Sequence, residues 1–255
     1  MFDNREMLQS ATAAAAALPE HLLERVRSTG VSAGFPSGAT AGLPTDDALL
    51  PVPQALAELF PGGGLRRGST VTVSGSSSLV LALLAEVSGL SGRLGWCAEV
   101  GSPLLGSAAA AEMGVALERF VRVAQPGEQW PSVVASLLEA FDIVVVHPPA
   151  RVREADMRRL TARARERSAV LLVTGPGKVN GNVSGAHPTG WPGAMVSLSV
   201  ITQRWHGLGA GHGYLRSREV EVQAEGRGAA ARPRQVRLWL PGPNGLIAPA
   251  HSSAA

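Results

Sequence analysis

The chain has 255 residues, 45% of them hydrophobic, which suits one large α/β domain, alone or with extensions, and a sizeable buried core. No apolar run approaches the ~20 residues of a membrane span, and a single cysteine, Cys97, excludes an intrachain disulfide and a cysteine-built metal site and fits a reducing cytoplasm. The net charge of +3 is unevenly spread: residues 1–150 hold eight Arg against fourteen Asp/Glu, and residues 151–255 hold fifteen Lys/Arg against six Asp/Glu. The C-terminal part therefore suits nucleic acid or an acidic protein surface, or is a solvated arginine-rich face.

Residues 4–29 are expected to be helical in two pieces, Arg5 to Ala17 and Pro19 to Arg27, with Pro19 in a first helical turn. The run Ala13–Ala17 follows Asp3, Arg5 and Glu6, which favours a helix over a signal peptide. Gly30 to Pro53 is rich in Gly, Pro, Ser and Thr without a period and reads as a linker. Val52–Phe60 reads as a short amphipathic helix stopped by Pro61-Gly-Gly-Gly64. This gives a helical segment over 1–29, linker and short helix over 30–60, a core over 61–240 and a tail over 241–255.

From Leu65 strands and helices alternate. Thr70–Val73, Leu94–Ala98, Phe120–Val123, Ile143–Val146 and Ala169–Val173 are expected strands. Between them lie expected helices at Ser78–Val87, from Ser102-Pro103 to Gly114, at Pro131–Phe141 and at Glu154–Arg167, the last with Met157, Leu160 and Ala164 on one face. Apolar strands without alternation, separated by helices, indicate an α/β fold with a mostly parallel sheet covered on both faces. After Gly175 comes a polar loop, Lys178–Gly193. Ala194–Thr202, Tyr214–Gln223 and Gln235–Leu240 then read as an antiparallel C-terminal extension.

Val71–Glu86 has the frame of a P-loop: buried strand, Gly/Ser turn, buried helix. A P-loop reads G-x-x-x-x-G-K-[ST], with backbone N–H groups around the phosphates and a lysine on their oxygens. Here Gly75 is followed by Ser76, Ser77 and Ser78 and then the helix; there is no second glycine, and the only lysine is Lys178.

Leu65–Gly75, Trp96–Glu99, Leu104–Met113 with Gly114 and Val115, Gln125–Glu128 and Phe141–Val146 follow one another in the order of the RecA recombinase core. The chain resembles that superfamily from about Pro61 to Leu240. Within it the chain is most similar to the P-loop-deficient actinobacterial ImuA-type proteins, with the cell-division inhibitor SulA a more distant relative. The resemblance implies a RecA-like core and a non-catalytic accessory role in a damage-induced translesion-synthesis complex. The implied partners are an ImuB-type inactive Y-family polymerase homologue and, through it, an error-prone C-family polymerase. The implied location is the cytoplasm, at the nucleoid after DNA damage. A SulA-like cell-division inhibitor and a RecA-like single-stranded DNA-binding protein are the alternatives.

Residue by residue, Glu99 falls where RecA has the glutamate that orients the attacking water, and Gly75 matches the first P-loop glycine. His147 stands where the Walker B strand would end in a carboxylate for Mg²⁺, and an imidazole does not replace it. ATP and Mg²⁺ binding and ATPase activity are therefore expected to be lost. Of RecA's two DNA-binding loops the first is missing at His147–Ala150; the second corresponds to Pro176–Pro192, with Lys178 and, for base stacking, Trp191.

Ser76–Ser78 is a nucleophile cluster or a polar turn capping the helix at Ser78. His206 and His212 flank Gly207–Gly211 as a metal pair or as the ends of a hairpin turn. Arg151 and Arg158 belong to the seven-arginine stretch Arg151–Arg167, which either tracks a phosphate backbone or forms intrahelical pairs such as Glu154–Arg158. Arg227, Arg232, Arg234, Arg237 and Trp239 form the candidate partner surface, since Trp and Arg are enriched in interface hot spots. The N-terminal helix is a second candidate, for self-association.

Overall fold

Valine- and leucine-rich runs of four to six residues form the centre of the protein. The computed structural model describes residues 48–90, 95–102, 105–175, 178–179, 182–183, 191–209 and 212–250. The helices read over 4–29, most of the linker and most of the Pro176–Pro192 loop lie outside these residues.

The first described elements differ from the reading above. Leu49–Leu50 (β1) is not linker but pairs antiparallel with Leu65–Arg66 (β2). The helix expected at Val52–Phe60 is a 3₁₀ turn over Gln54–Leu59. Its two buried residues, Leu56 and Leu59, are three apart, the spacing that a three-residue turn superposes.

The core strands follow: β3 (Thr70–Ser74), β4 (Cys97–Val100), β5 (Phe120–Val123), β6 (Ile143–Val146) and β7 (Val170–Gly175). After the short pair β8 (Lys178–Val179) and β9 (Asn182–Val183) come β10 (Val196–Leu208), β11 (Gly213–Gly226), β12 (Arg234–Trp239) and β13 (Ala248–Pro249). One nine-stranded sheet has the order β13-β12-β11-β10-β3-β7-β6-β4-β5. It is parallel from β10 to β5 and antiparallel from β10 to β13. The fold is therefore α/β with a mostly parallel sheet and an antiparallel C-terminal extension, as expected.

Four helices connect the parallel strands: α1 (Ser77–Ala85), α2 (Ser107–Glu112), α3 (Trp130–Leu137) and α4 (Glu154–Arg167). Strand residues of one parity, such as Val71, Val73, Ile143 and Leu172, join α1, α2 and the 3₁₀ turn in the main core. Residues of the other parity, such as Ala98, Val144 and Leu171, are buried on the side where α3 and α4 pack. Every residue of α1 from Leu79 to Ala85 is buried, so it is apolar all round.

Two helix starts move. α1 begins at Ser77 and its N-cap is Ser76, not Ser78. α2 begins at Ser107, after Gly106, not at Ser102-Pro103. Ser102 is held in the preceding turn, its N–H donating to Glu99 and its carbonyl accepting from Arg122. Asp142 ties two strand entries together, accepting from Arg67 Nη2 at 2.7 Å and from the Trp96 N–H at 2.9 Å.

The β10–β11 hairpin is longer than expected at both strands. β3 pairs only with Val196–Ser199, and β12 only with Glu219–Ala224. Beyond both pairings lie Trp205–Leu208 of β10, roughly 14 Å of strand, and Gly213–Arg218 of β11, with a bulge between them. Among the described residues no helix is long and apolar enough to cross a membrane.

Leu83, fully buried in α1, tests the core. Leu83→Ala is expected to cost about 2–5 kcal/mol. Urea unfolding should show a lower midpoint at an unchanged slope.

Candidate functional site at the strand tips

In open α/β sheets ligands bind outside the carboxyl ends of the parallel strands. Here that edge carries Gly75 after β3, Thr174 in β7, His147 after β6, and Glu99 and Gly101 at the end of β4.

The P-loop position contracts to one left-handed residue. Ser74 still belongs to β3, Gly75 turns the chain with φ of +81°, and Ser76 already caps α1. The turn has none of the successive glycine-rich residues whose N–H groups make a phosphate nest. Ser76 Oγ accepts from the Leu79 N–H at 3.3 Å and from Arg218 Nη2 at 2.8 Å.

Arg218 reaches this cap from β11. It is 8% exposed, with Nε donating to the Leu240 carbonyl at 2.7 Å, Nη1 to Gln203 Oε1 at 3.2 Å, and its guanidinium over the Trp205 ring. No described carboxylate lies within ion-pair distance of it, and burial pushes its pKa down. Among the described residues, a cation thus stands beside the positive end of α1 with hydrogen bonds but without a counter-ion. The sequence reading missed Arg218. The signal was its parity: Val220, Val222 and Ala224 point into the core, and 218 continues that series.

Glu99 is fully buried, and its carboxylate faces the outer strand β5. One oxygen accepts from the Ser102 N–H and the other from Arg122 Nε at 3.0 Å. Strands β7 and β6 separate β4 from β3, about 14 Å at ordinary strand spacing. Burial raises the Glu99 pKa above the usual value near 4.5, against the lowering pull of the Ser102 N–H and then of Arg122.

His147 Nδ1 lies 3.1 Å from Thr174 Oγ1, and that hydroxyl donates to the Val146 carbonyl at 3.2 Å. His147 also lines a cleft of about 330 Å³ with Gly101, Pro126, Trp130 and Pro148. Ser77 is exposed, Ser78 is half-buried in the first turn of α1, and neither is joined to a base by the bonds of this site.

The surface candidates do not form one patch. Arg158 pairs with Glu154 at 2.6 Å, while Arg163 bonds Glu139 and Glu166, so part of the α4 charge is neutralised locally. Arg151 is exposed ahead of α4. On the C-terminal strands, Arg237 Nε is 4.0 Å from Glu221, and Trp239 packs against His206. Arg234 donates to the Glu58 carbonyl. Arg232 is exposed, and Arg227 lines a cavity of about 240 Å³ with Phe60 and Met195. The outer face of β11–β12 is thus mixed in charge, and β12 lies five strand positions from β6.

Trp191 is not placed for base stacking: it is buried, and its Nε1–H donates to Thr161 Oγ1 of α4. His206 Nε2 lies 3.8 Å from Glu219, and no cluster of three or more His, Cys, Asp or Glu suited to a metal occurs among the described residues.

The fold defines a class. Among solved structures the chain is similar to the RadB recombinase, with a TM-score of 0.54 and 17% identity over 76% of this chain and 96% of that one. It is also similar to a KaiC-like protein of Pyrococcus horikoshii OT3, with a TM-score of 0.51 and 13% identity over 79% of this chain and 98% of that one. The core is therefore RecA-like in fold. In sequence, the family model described as the MT3502 N-terminal domain matches residues 58–180. An uncharacterized protein of Mycobacterium tuberculosis, Rv3395c, is 37% identical over 125 residues, which is 48% of this chain and 60% of the relative's length.

Two measurements check this geometry. Ser76→Ala removes the α1 cap and the Arg218 acceptor, and is expected to cost about 1–2 kcal/mol. Ser78→Ala should cost less than about 0.5 kcal/mol; equal effects would restore Ser78 as the cap. For Glu99, the folded state holds the proton to higher pH than the unfolded chain. Its contribution to stability therefore falls as pH rises from about 4.5 through the raised folded value. Urea unfolding across that window should show E99Q gaining on wild type as pH rises, and a pH-independent difference would count against the assignment.

Proposed function

We propose that this protein is a non-catalytic, RecA-like accessory protein of the ImuA type. It acts as an adaptor in a damage-induced translesion-synthesis complex, at the nucleoid, and binds an ImuB-type inactive Y-family polymerase homologue. An error-prone C-family polymerase is reached through that partner. In this reading ATP and Mg²⁺ are not its ligands.

The observation that carries the reading is the Gly75–Ser76 turn. A RecA-like core retains the strand and helix of its nucleotide site, while the loop is one residue long and its cap is bonded to Arg218. The strand tip where Mg²⁺ would need a carboxylate carries His147, and Glu99 is bound to Arg122 and Ser102. The pieces do not fit a Mg-nucleotide: the Gly75–Ser78 sequence has no lysine, and hard cations take oxygen ligands. The ordered sequence resemblance from Pro61 to Leu240 supplies the ImuA-type assignment.

Calorimetric titration with Mg-ATP is expected to show no saturable binding up to about 1 mM. A pull-down at micromolar concentration with the Y-family homologue of the same organism is expected to retain it. Submillimolar ATP binding with turnover, or no retention of that homologue, would overturn the proposal.

A further inference from the structure

We propose that the projecting β10–β11 arm is the surface on which a protein partner docks an apolar segment flanked by acidic residues; this rests on the adaptor reading above. Four large apolar side chains at or near its tip are exposed: Trp205 at 42%, Leu208 at 65%, Tyr214 at 66% and Leu215 at 48%. They account for four of the six exposed large hydrophobic residues among those described. A concentration of this kind marks an interaction site, whereas scattered single residues do not.

The arm is rigid where it leaves the sheet. Arg218 anchors it to Ser76 and Leu240, the Arg218 N–H donates to the Pro241 carbonyl, and the Leu240 N–H returns to the Arg218 carbonyl. Gly207, with φ of +112°, lets the strands close up: a Cβ there would stand 2.3 Å from the Tyr214 carbonyl oxygen. The strands below the tip are therefore anchored at the base and closely paired.

Charge selects the partner. From Arg167 to Arg218 the sequence contains no Asp or Glu, and the arm carries exposed Arg216 near its tip and exposed Arg204 at its base, opposite Glu219. Such a surface is complementary to acidic flanks and repels basic ones. The same charges would suit single-stranded nucleic acid, but two observations favour protein. Leu208 and Leu215 offer nothing to a nucleobase stack. The Tyr214 and Trp205 rings each already carry an arginine of the arm, Arg216 at 4.7 Å and Arg218 at 5.2 Å from the ring centroids. Arginine-backed Trp and Tyr beside leucines match the composition of protein hot spots.

The test uses the full chain and the purified Y-family homologue as probe, with oligo(dT) in parallel. Two double variants are made, L208D/Y214D and R204E/R216E, all at exposed positions, with R66E as a surface control at an exposed residue outside every candidate surface; thermal unfolding confirms that they fold. Wild type is expected to bind the homologue with an affinity that falls with salt, both arm variants to bind at least about tenfold more weakly, and R66E to bind like wild type. If wild type binds and both folded arm variants bind equally well, the arm assignment is overturned and the adaptor reading stands. If wild type does not bind, both fall. If the arm variants lose oligo(dT) but keep the homologue, the arm is a nucleic-acid surface and the inference is overturned. Should L208D/Y214D fail to fold, the charge-reversed pair decides alone.

Discussion

A buried guanidinium that has no counter-ion among the described residues holds this structure in its particular form. Arg218 lies beside the N-terminus of the central helix, where the helix dipole is least hospitable to a cation. It is tolerated because hydrogen bonds to Ser76, Gln203 and Leu240 and the Trp205 ring replace the water it has lost. Those contacts join residues 142 positions apart in the chain, from the first core turn to the last hairpin. The antiparallel extension is thereby bolted to the parallel core at the turn between β3 and α1.

The rest of the strand-tip edge has settled in the same direction. Glu99 turns toward β5, His147 toward Thr174, and Ser102 is drawn into the Glu99 turn and away from helix capping. Each polar group satisfies a neighbour within the fold. The described polar groups of this edge are thus bonded to one another across neighbouring strands.

The sheet and its parallel centre were legible because runs such as Ile143–Val146 and Val170–Val173 have neither polar alternation nor helical length. The helix boundaries were harder. Ser102-Pro103 carries the local signature of a cap, but a buried carboxylate three residues earlier claimed the Ser102 N–H. Among three successive serines, only geometry could single out Ser76. Of the site, Gly75, Glu99 and His147 were found from their places in an ordered pattern. Arg218 and Arg122, which decide what Ser76 and Glu99 do, were not, because their partners are distant in sequence. Local alternation showed only that Arg218 faced inward. Trp191 shows the converse: an aromatic in a polar loop invited a binding role, and it is a buried anchor to α4.

The two borders of the sheet have a consequence for how copies of this chain behave when crowded. β13 is two residues long and includes Pro249, which cannot donate to a neighbouring ladder, and β5 is four residues long with Arg122 on it. Short borders interrupted by proline or charge resist strand-by-strand addition. Among the described residues the two outermost strands are thus poor templates for strand addition, and the longer unpaired backbone lies on the projecting ribbon, where β10 and β11 run on beyond β3 and β12.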